Sequence, residues 1–194
     1  YIVEVARFYQ NPVPSGSDYL LQVSLDPDTT PPVIAPSVSG TLGNNGWYVG
    51  NVSVSWTVTD NESAISSSSG CNATGITSDT AGTTLTCTAT SDGGTASRSV
   101  TIKRDATAPS ASASASPAPN ASGWNNSDVT VSFSGSDSLS GVDSCDAPVV
   151  LSAEAAGQSA SGTCTDLAGN VSAPATASNI NIDKTAPTIS ITTP

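Results

Sequence analysis

A chain of 194 residues with 5% aromatics, 34 Ser and 24 Thr can build only a thin core, made mostly of Val, Ile, Leu and Ala. Sixteen acids against five Lys and Arg give a net charge of −11, a surface that repels phosphate backbones and argues against nucleic acid as a partner. No stretch of eighteen apolar residues is present to insert into a membrane, and no basic region leads into an apolar one, so any signal peptide lies outside this sequence.

In chain order, residues 1–27 read as a β-hairpin, "YIVEVARFYQ" and "SDYLLQVSLD" flanking an Asn-Pro-Val-Pro-Ser-Gly loop. A hairpin alone is marginal in water, so it belongs to a preceding β domain or serves as an assembly strand. From residue 28 the chain repeats itself. A shift of 77 lays "GWYVGNVSVSWTVTD" (46–60) over "GWNNSDVTVSFSGSD" (123–137), with Val52, Val54 and Trp56 on Val129, Val131 and Phe133. Both runs alternate apolar residues with Ser or Thr, the period of a strand with one buried and one wet face. "DTTPPVIAP" at 28 and "DATAPSASA" at 105 share the shift, and "DKTAPTISI" at 183 follows 78 residues later. The expected organisation is repeat 1 over 28–104, repeat 2 over 105–182, and the first strand of a third repeat over 183–194.

Within a repeat the remaining strand signals are short and turn-bounded: "TLTCTAT", "ASRSVTIKRD", "SASGTCTD" and "ASNINID". Helical periodicity does not persist anywhere. About seven short strands in each repeat predict an all-β chain of two tandem immunoglobulin-like antiparallel β-sandwiches.

The four cysteines, Cys71, Cys87, Cys145 and Cys164, stand in a chain with no histidine and no Cys-x-x-Cys spacing, which disfavours zinc and favours disulfides in an oxidising, extracytoplasmic compartment. Three pairings are open to four cysteines. Cys71–Cys87 with Cys145–Cys164 is the one that respects the repeat.

Catalysis finds few candidates. There is no histidine, the only lysines are Lys103 and Lys184, and no serine sits in a nucleophile elbow. Trp47, with Tyr48 beside it, and Trp124 hold matching positions after a Gly. They read either as exposed platforms for sugar stacking or as lids on a core short of aromatics. The lid reading is favoured, since only Trp47 has an aromatic neighbour. Six Asn-x-Ser/Thr sequons barely exceed what the composition yields and are not read as glycan sites.

The acids gather by topology. In an immunoglobulin-like sandwich the loops after the second, fourth and sixth strands meet at the pole where the chain comes in. That brings Asp105, Asp137, Asp143 and Asp166 together in repeat 2, and Asp28, Asp60, Glu62 and Asp92 as a weaker set in repeat 1. Oxygen ligands from separate segments suit Ca2+, which would stiffen the inter-repeat joints. The competing reading is a set of solvated turn residues.

The stretch "SGVDSCDAPVVLSAEAAGQSASGTCTDLAGNVSAPATASNINIDKTAPTI" resembles the tandem bacterial Ig-like repeats of secreted and cell-surface proteins, with their S-G-V, T-D-x-A-G-N and D-x-T-x-P marks. The resemblance covers residues 28–194. In repeat 1, "TATSDGGT" departs from it, placing Ser91 opposite Asp166. Residues 1–27 are similar to the end of a pre-peptidase C-terminal domain.

The expectation is therefore a non-catalytic extracellular stalk, rod-like, that displays an adhesive tip or an enzyme and has neighbouring domains of the same longer chain as partners. Two rivals are a carbohydrate-binding appendage of a secreted hydrolase, with glycans as partners, and a subunit of a filament built from like subunits by strand addition.

Overall fold

The computed structural model describes residues 27–192. The hairpin expected over 1–27 therefore lies, but for its last residue, outside the described residues. Among the described residues the chain is all-β, in fifteen strands. The first seven are β1 (Val33–Ser39), β2 (Trp47–Tyr48), β3 (Val52–Thr59), β4 (Ser67–Ser69), β5 (Thr74–Ile76), β6 (Thr80–Ser91) and β7 (Gly94–Arg104). Eight follow: β8 (Ser110–Ser116), β9 (Trp124–Asn125), β10 (Val129–Ser136), β11 (Val142–Cys145), β12 (Val149–Leu151), β13 (Ala155–Gly162), β14 (Cys164–Asp166) and β15 (Ala175–Ile182). Residues 183–192 form no strand, and Ile189 and Ile191 are exposed there.

The period-two pattern determines which residues point inward. Val52 and Val54 of β3 are buried while Ser53 and Ser55 are exposed, and Val129 and Val131 of β10 are buried while Ser132 and Ser134 are exposed. The sheets run β1-β3-β5 and β2-β7-β6-β4 in the first half, then β12-β10-β8, β13-β15-β9 and the pair β11-β14 in the second. Pairing is antiparallel except where β2 joins β7 and β9 joins β15. These are immunoglobulin-like β-sandwiches.

By packing, one compact unit takes the described residues through Ser39 with Ser53–Gly75 and Thr83–Thr101, and the other takes Gly40–Val52, Ile76–Gly82 and the described residues from Ile102. The first unit buries Val54, Cys87 and Ala89. In the second, Val129, Val131, Ala160, Ile180 and Ile182 form a cluster against which Ala113, Phe133, Leu151 and Ala177 pack. Gly162 lets β13 approach Phe133 closely, since a Cβ there would lie 2.7 Å from the ring.

Each half carries one disulfide, Cys71–Cys87 and Cys145–Cys164. The second joins residues directly opposite on β11 and β14. In the first unit the outer face of β6 and β7 is laddered with hydroxyls: Thr84 with Thr101, Thr86 with Ser99, Thr88 with Ser97 and Thr90 with Thr95, each 2.8–2.9 Å apart. Cross-strand pairs of this kind stabilise a sheet by about 0.2–1 kcal/mol each relative to Ala–Ala. They help a chain with few large apolar side chains to hold its strands together.

Candidate functional site: joints and acidic cluster

The D-x-T signature has one local conformation at all three of its occurrences. The Thr30, Thr107 and Thr185 amides donate to Oδ1 of Asp28, Asp105 and Asp183 at 3.0, 3.1 and 3.0 Å. Such Asx turns are local, which is why the motif recurs intact.

At the second and third occurrences an acid from a preceding loop grips the same two residues. Asp79 Oδ1 accepts the Ala106 N–H at 3.0 Å and Asp79 Oδ2 accepts the Thr107 hydroxyl at 2.6 Å. Glu154 does the same to Lys184 N–H (2.8 Å) and the Thr185 hydroxyl (2.9 Å). A basic side chain adds to the contacts of each linker, and at the second occurrence it also meets the gripping acid. Arg104, almost fully buried, pairs with Asp79 and donates to Gly50 O at 3.0 Å and Asn51 Oδ1 at 3.1 Å. Lys184 Nζ reaches Asp128 Oδ1 at 2.8 Å and Ser152 O at 2.7 Å. The Thr107 hydroxyl, working against burial and aided by the Ala106 N–H and Arg104, holds the Asp79 carboxyl below its ordinary range.

Sequence reasoning missed both grips. A shift of 77 would carry Asp79 to 156, two positions from Glu154, and the longer Glu side chain makes up the difference. These grips add to the proline of D-x-T-x-P, whose ring fixes φ in the same linkers.

The carboxylates of Asp105, Asp137 and Asp166 converge, one oxygen from each lying within 4.8 Å of the others. Asp105 and Asp166 are fully buried. Asp105 accepts Thr107 N–H and Ser140 N–H (3.0 Å). Asp166 Oδ1 accepts Gly169 and Asn170 N–H at 2.7 and 2.8 Å, and its Oδ2 accepts the Asn170 amide at 2.8 Å. Asp137 Oδ1 accepts Leu139 and Gly141 N–H at 3.0 and 2.8 Å. Burial alone would push Asp137 upward, but these amides and the Ser140 hydroxyl hold its carboxyl below the ordinary value. Three carboxyl groups, offering oxygen donors only, fit a hard cation, for which Asp105, Asp137 and Asp166 would be the ligands.

Asp143 is not among them. It lies on β11, exposed, because that strand starts at Val142, earlier than the loop expected there.

The weaker set, Asp28, Asp60, Glu62 and Asp92, forms no such three-carboxylate group among the described residues. Hydroxyls take the place of the third acid. Ser63 Oγ and Ser91 Oγ both donate to Asp28 Oδ2, which also accepts Gly93 N–H at 2.7 Å. Led by the Ser63 hydroxyl and working against burial, hydrogen bonds from Ser63, Thr30 and Gly93 lower the Asp28 carboxyl to about 2. Asp60 Oδ1 accepts Glu62 and Ser63 N–H, which hold Asp60 low, and Glu62 Oε2 accepts Thr29 N–H at 3.1 Å. Asp92 is exposed and its amide donates to Ser63 Oγ at 3.2 Å.

The paired aromatic platform does not exist. Trp47 is 8% exposed, with Lys103 Nζ 5.6 Å from its ring centroid, and Tyr48 is half-buried. Trp124, at the matching position, is 38% exposed. The loops before the two also differ. Asn44 N–H donates to Ala168 O and Asn45 Nδ2 to Leu167 O, both at 2.8 Å, and Gly43 permits the approach because a Cβ there would meet Ala168 O at 2.2 Å. Asn120 stands where Gly43 does, and its side chain turns back to accept Ser122 and Trp124 N–H.

No family model matches the chain, and no curated protein matches it. Among solved structures it is similar to the fibronectin(III)-like modules of Clostridium thermocellum CbhA, with 13% identity, a TM-score of 0.37, and coverage of 81% of this chain and 100% of that one.

Proposed function

We propose that this chain is a non-catalytic, extracellular, immunoglobulin-like spacer of a bacterial surface or secreted protein, carrying another domain of the same longer chain. The observation that supports the reading best is the twice-built joint, in which an Asx turn is gripped from the preceding loop by Asp79 or Glu154. A spacer needs linkers that hold their conformation, and two of the chain's five basic residues, Arg104 and Lys184, lie at these joints. The two disulfides support an oxidising compartment. The scarcity of Lys and Arg suits a chain exposed to proteases.

Calcium belongs to the same reading. Bound by Asp105, Asp137 and Asp166, it would neutralise clustered charge and tie three segments together.

Hydrogen exchange on the whole chain tests the joint. The Ala106 and Thr107 amides are expected to be protected, and Asp79→Ala to expose them while strand amides of β10 stay protected. Exchange of both amides at unstructured rates in the unaltered chain would defeat the spacer reading.

A further inference from the structure

We infer that Trp124 and the Pro117–Pro119 segment form a binding pocket for a single uncharged sugar ring of an oligosaccharide. The cavity is about 240 Å3 and is lined by Pro117, Ala118, Pro119, Asn120, Trp124, Asn125 and Asn126. Drug-sized ligands occupy cavities of about 300–1,000 Å3, so this one suits one ring. No lining residue is ionisable. Phosphate and carboxylate ligands need Arg or Lys forks, which are missing here, and the chain's negative charge repels them further.

The chemistry left over is one aromatic face and a set of amides. An indole stacks on the apolar face of a pyranose while the ring's hydroxyls bond at the edge, and a carboxamide supplies both donor and acceptor to them. Asn126 is exposed and its side chain makes no hydrogen bond among the described residues, and Asn120 Nδ2 makes none either. A polyproline segment is the competing ligand, but its grooves present several aromatics in a row and this pocket has one.

The pocket is preorganised. Asn120 N–H donates to Trp124 O at 2.8 Å and Asn120 Oδ1 accepts Trp124 N–H at 3.0 Å, which fixes the backbone under the indole. Asn181, opposite Trp124 on β15, donates to Gly123 O at 2.9 Å. With its amide turned to donate, buried Asn125 reaches Pro117 O at 3.1 Å and Ala118 O at 3.3 Å, holding the proline wall. The inference stands apart from the spacer reading, and failure of either leaves the other intact.

Titration of the 15N-labelled chain distinguishes the cases, because Trp47, Trp56 and Trp124 give three separate indole signals. The probes are cellohexaose, chitohexaose, a decaproline peptide and tetragalacturonate. One or both neutral oligosaccharides are expected to shift the Trp124 indole and the Asn126 side-chain amide, leaving Trp47 in place. Trp124→Ala should weaken binding about tenfold. Asn126→Ala, an exposed position that cannot unfold the chain, should weaken it about 2- to 12-fold. No shift with either neutral oligosaccharide, a shift with decaproline alone, or undiminished binding by Asn126→Ala and Trp124→Ala together would overturn the inference.

Discussion

Replacing one disulfide at a time, as Cys71→Ala/Cys87→Ala and Cys145→Ala/Cys164→Ala, tests how the stability of this thin-cored chain is distributed. The bridged residues are 16 and 19 apart in sequence. In the chain-entropy model each closure is worth about 3 kcal/mol, and the two differ by less than about 0.2 kcal/mol. The two variants should therefore be equally costly in free energy. Each bridge lies within a different compact unit. For a unit of 60–100 residues, about 3 kcal/mol moves the melting temperature by about 12–24 °C; for a single cooperative transition over the whole chain the same loss moves it only about 6–12 °C. Calorimetry of the unaltered chain and both variants reads the difference directly. The expected result is two transitions, of which each variant depresses one by the larger amount. A single transition that both variants lower by the smaller amount would refute separate unfolding of the two units. Shifts of only a degree or two would refute the entropy argument itself.

Acid should destabilise the chain late. The carboxyls of Asp28, Asp60, Asp79 and Asp137 are depressed on folding, Asp28 to about 2, so their contribution is present above their ordinary value of 3.8 and is lost as pH falls through the folded values. Ser63→Ala, which removes the leading cause at Asp28, should move that carboxyl's titration upward in NMR. Gly162→Ala, which drives a Cβ into the Phe133 ring, and Gly135→Ala, which meets Cys164 Sγ at 2.8 Å, should each cost about 1–3 kcal/mol in denaturant unfolding. Calcium at 100 times its dissociation constant should stabilise the chain by about 2.7 kcal/mol by mass action, with the effect lost in EDTA and in Asp137→Asn. If EDTA leaves the melting temperature unchanged, Asp105, Asp137 and Asp166 are turn residues alone. A screen of glycosidase and protease substrates should find no turnover. Activity abolished by one Asp or Glu substitution would end the spacer reading.

What the sequence made legible was whatever depends on local period or local turns. Val52, Val54, Val129 and Val131 are buried because alternation alone assigns a strand residue to one face. The cysteine pairs follow from the repeat, and the meeting of Asp105, Asp137 and Asp166 follows from sandwich topology. Asp143 failed because topology locates a loop to within a few residues, and a strand beginning at Val142 turned it outward. Trp47 and Trp124 are alike in sequence, yet one is buried and the other exposed. The loops before them differ too: Gly43 admits a backbone approach to Ala168, a contact more than 120 residues away that leaves no trace in the local sequence. Asp79 and Glu154 were invisible for a similar reason, since a hydrogen bond to a distant linker leaves no periodic trace.

The hydroxyl ladder between β6 and β7 has a consequence for where such a chain can operate. Paired Thr and Ser side chains carry no charge, so they neither titrate across the pH of natural waters nor weaken as salt condenses around them. The exposed ion pair Lys184–Asp128 is the kind of contact that salt weakens, whereas Arg104–Asp79 is shielded by burial. The contribution of such alcohol pairs to the sheet should be the same in rainwater and in brine.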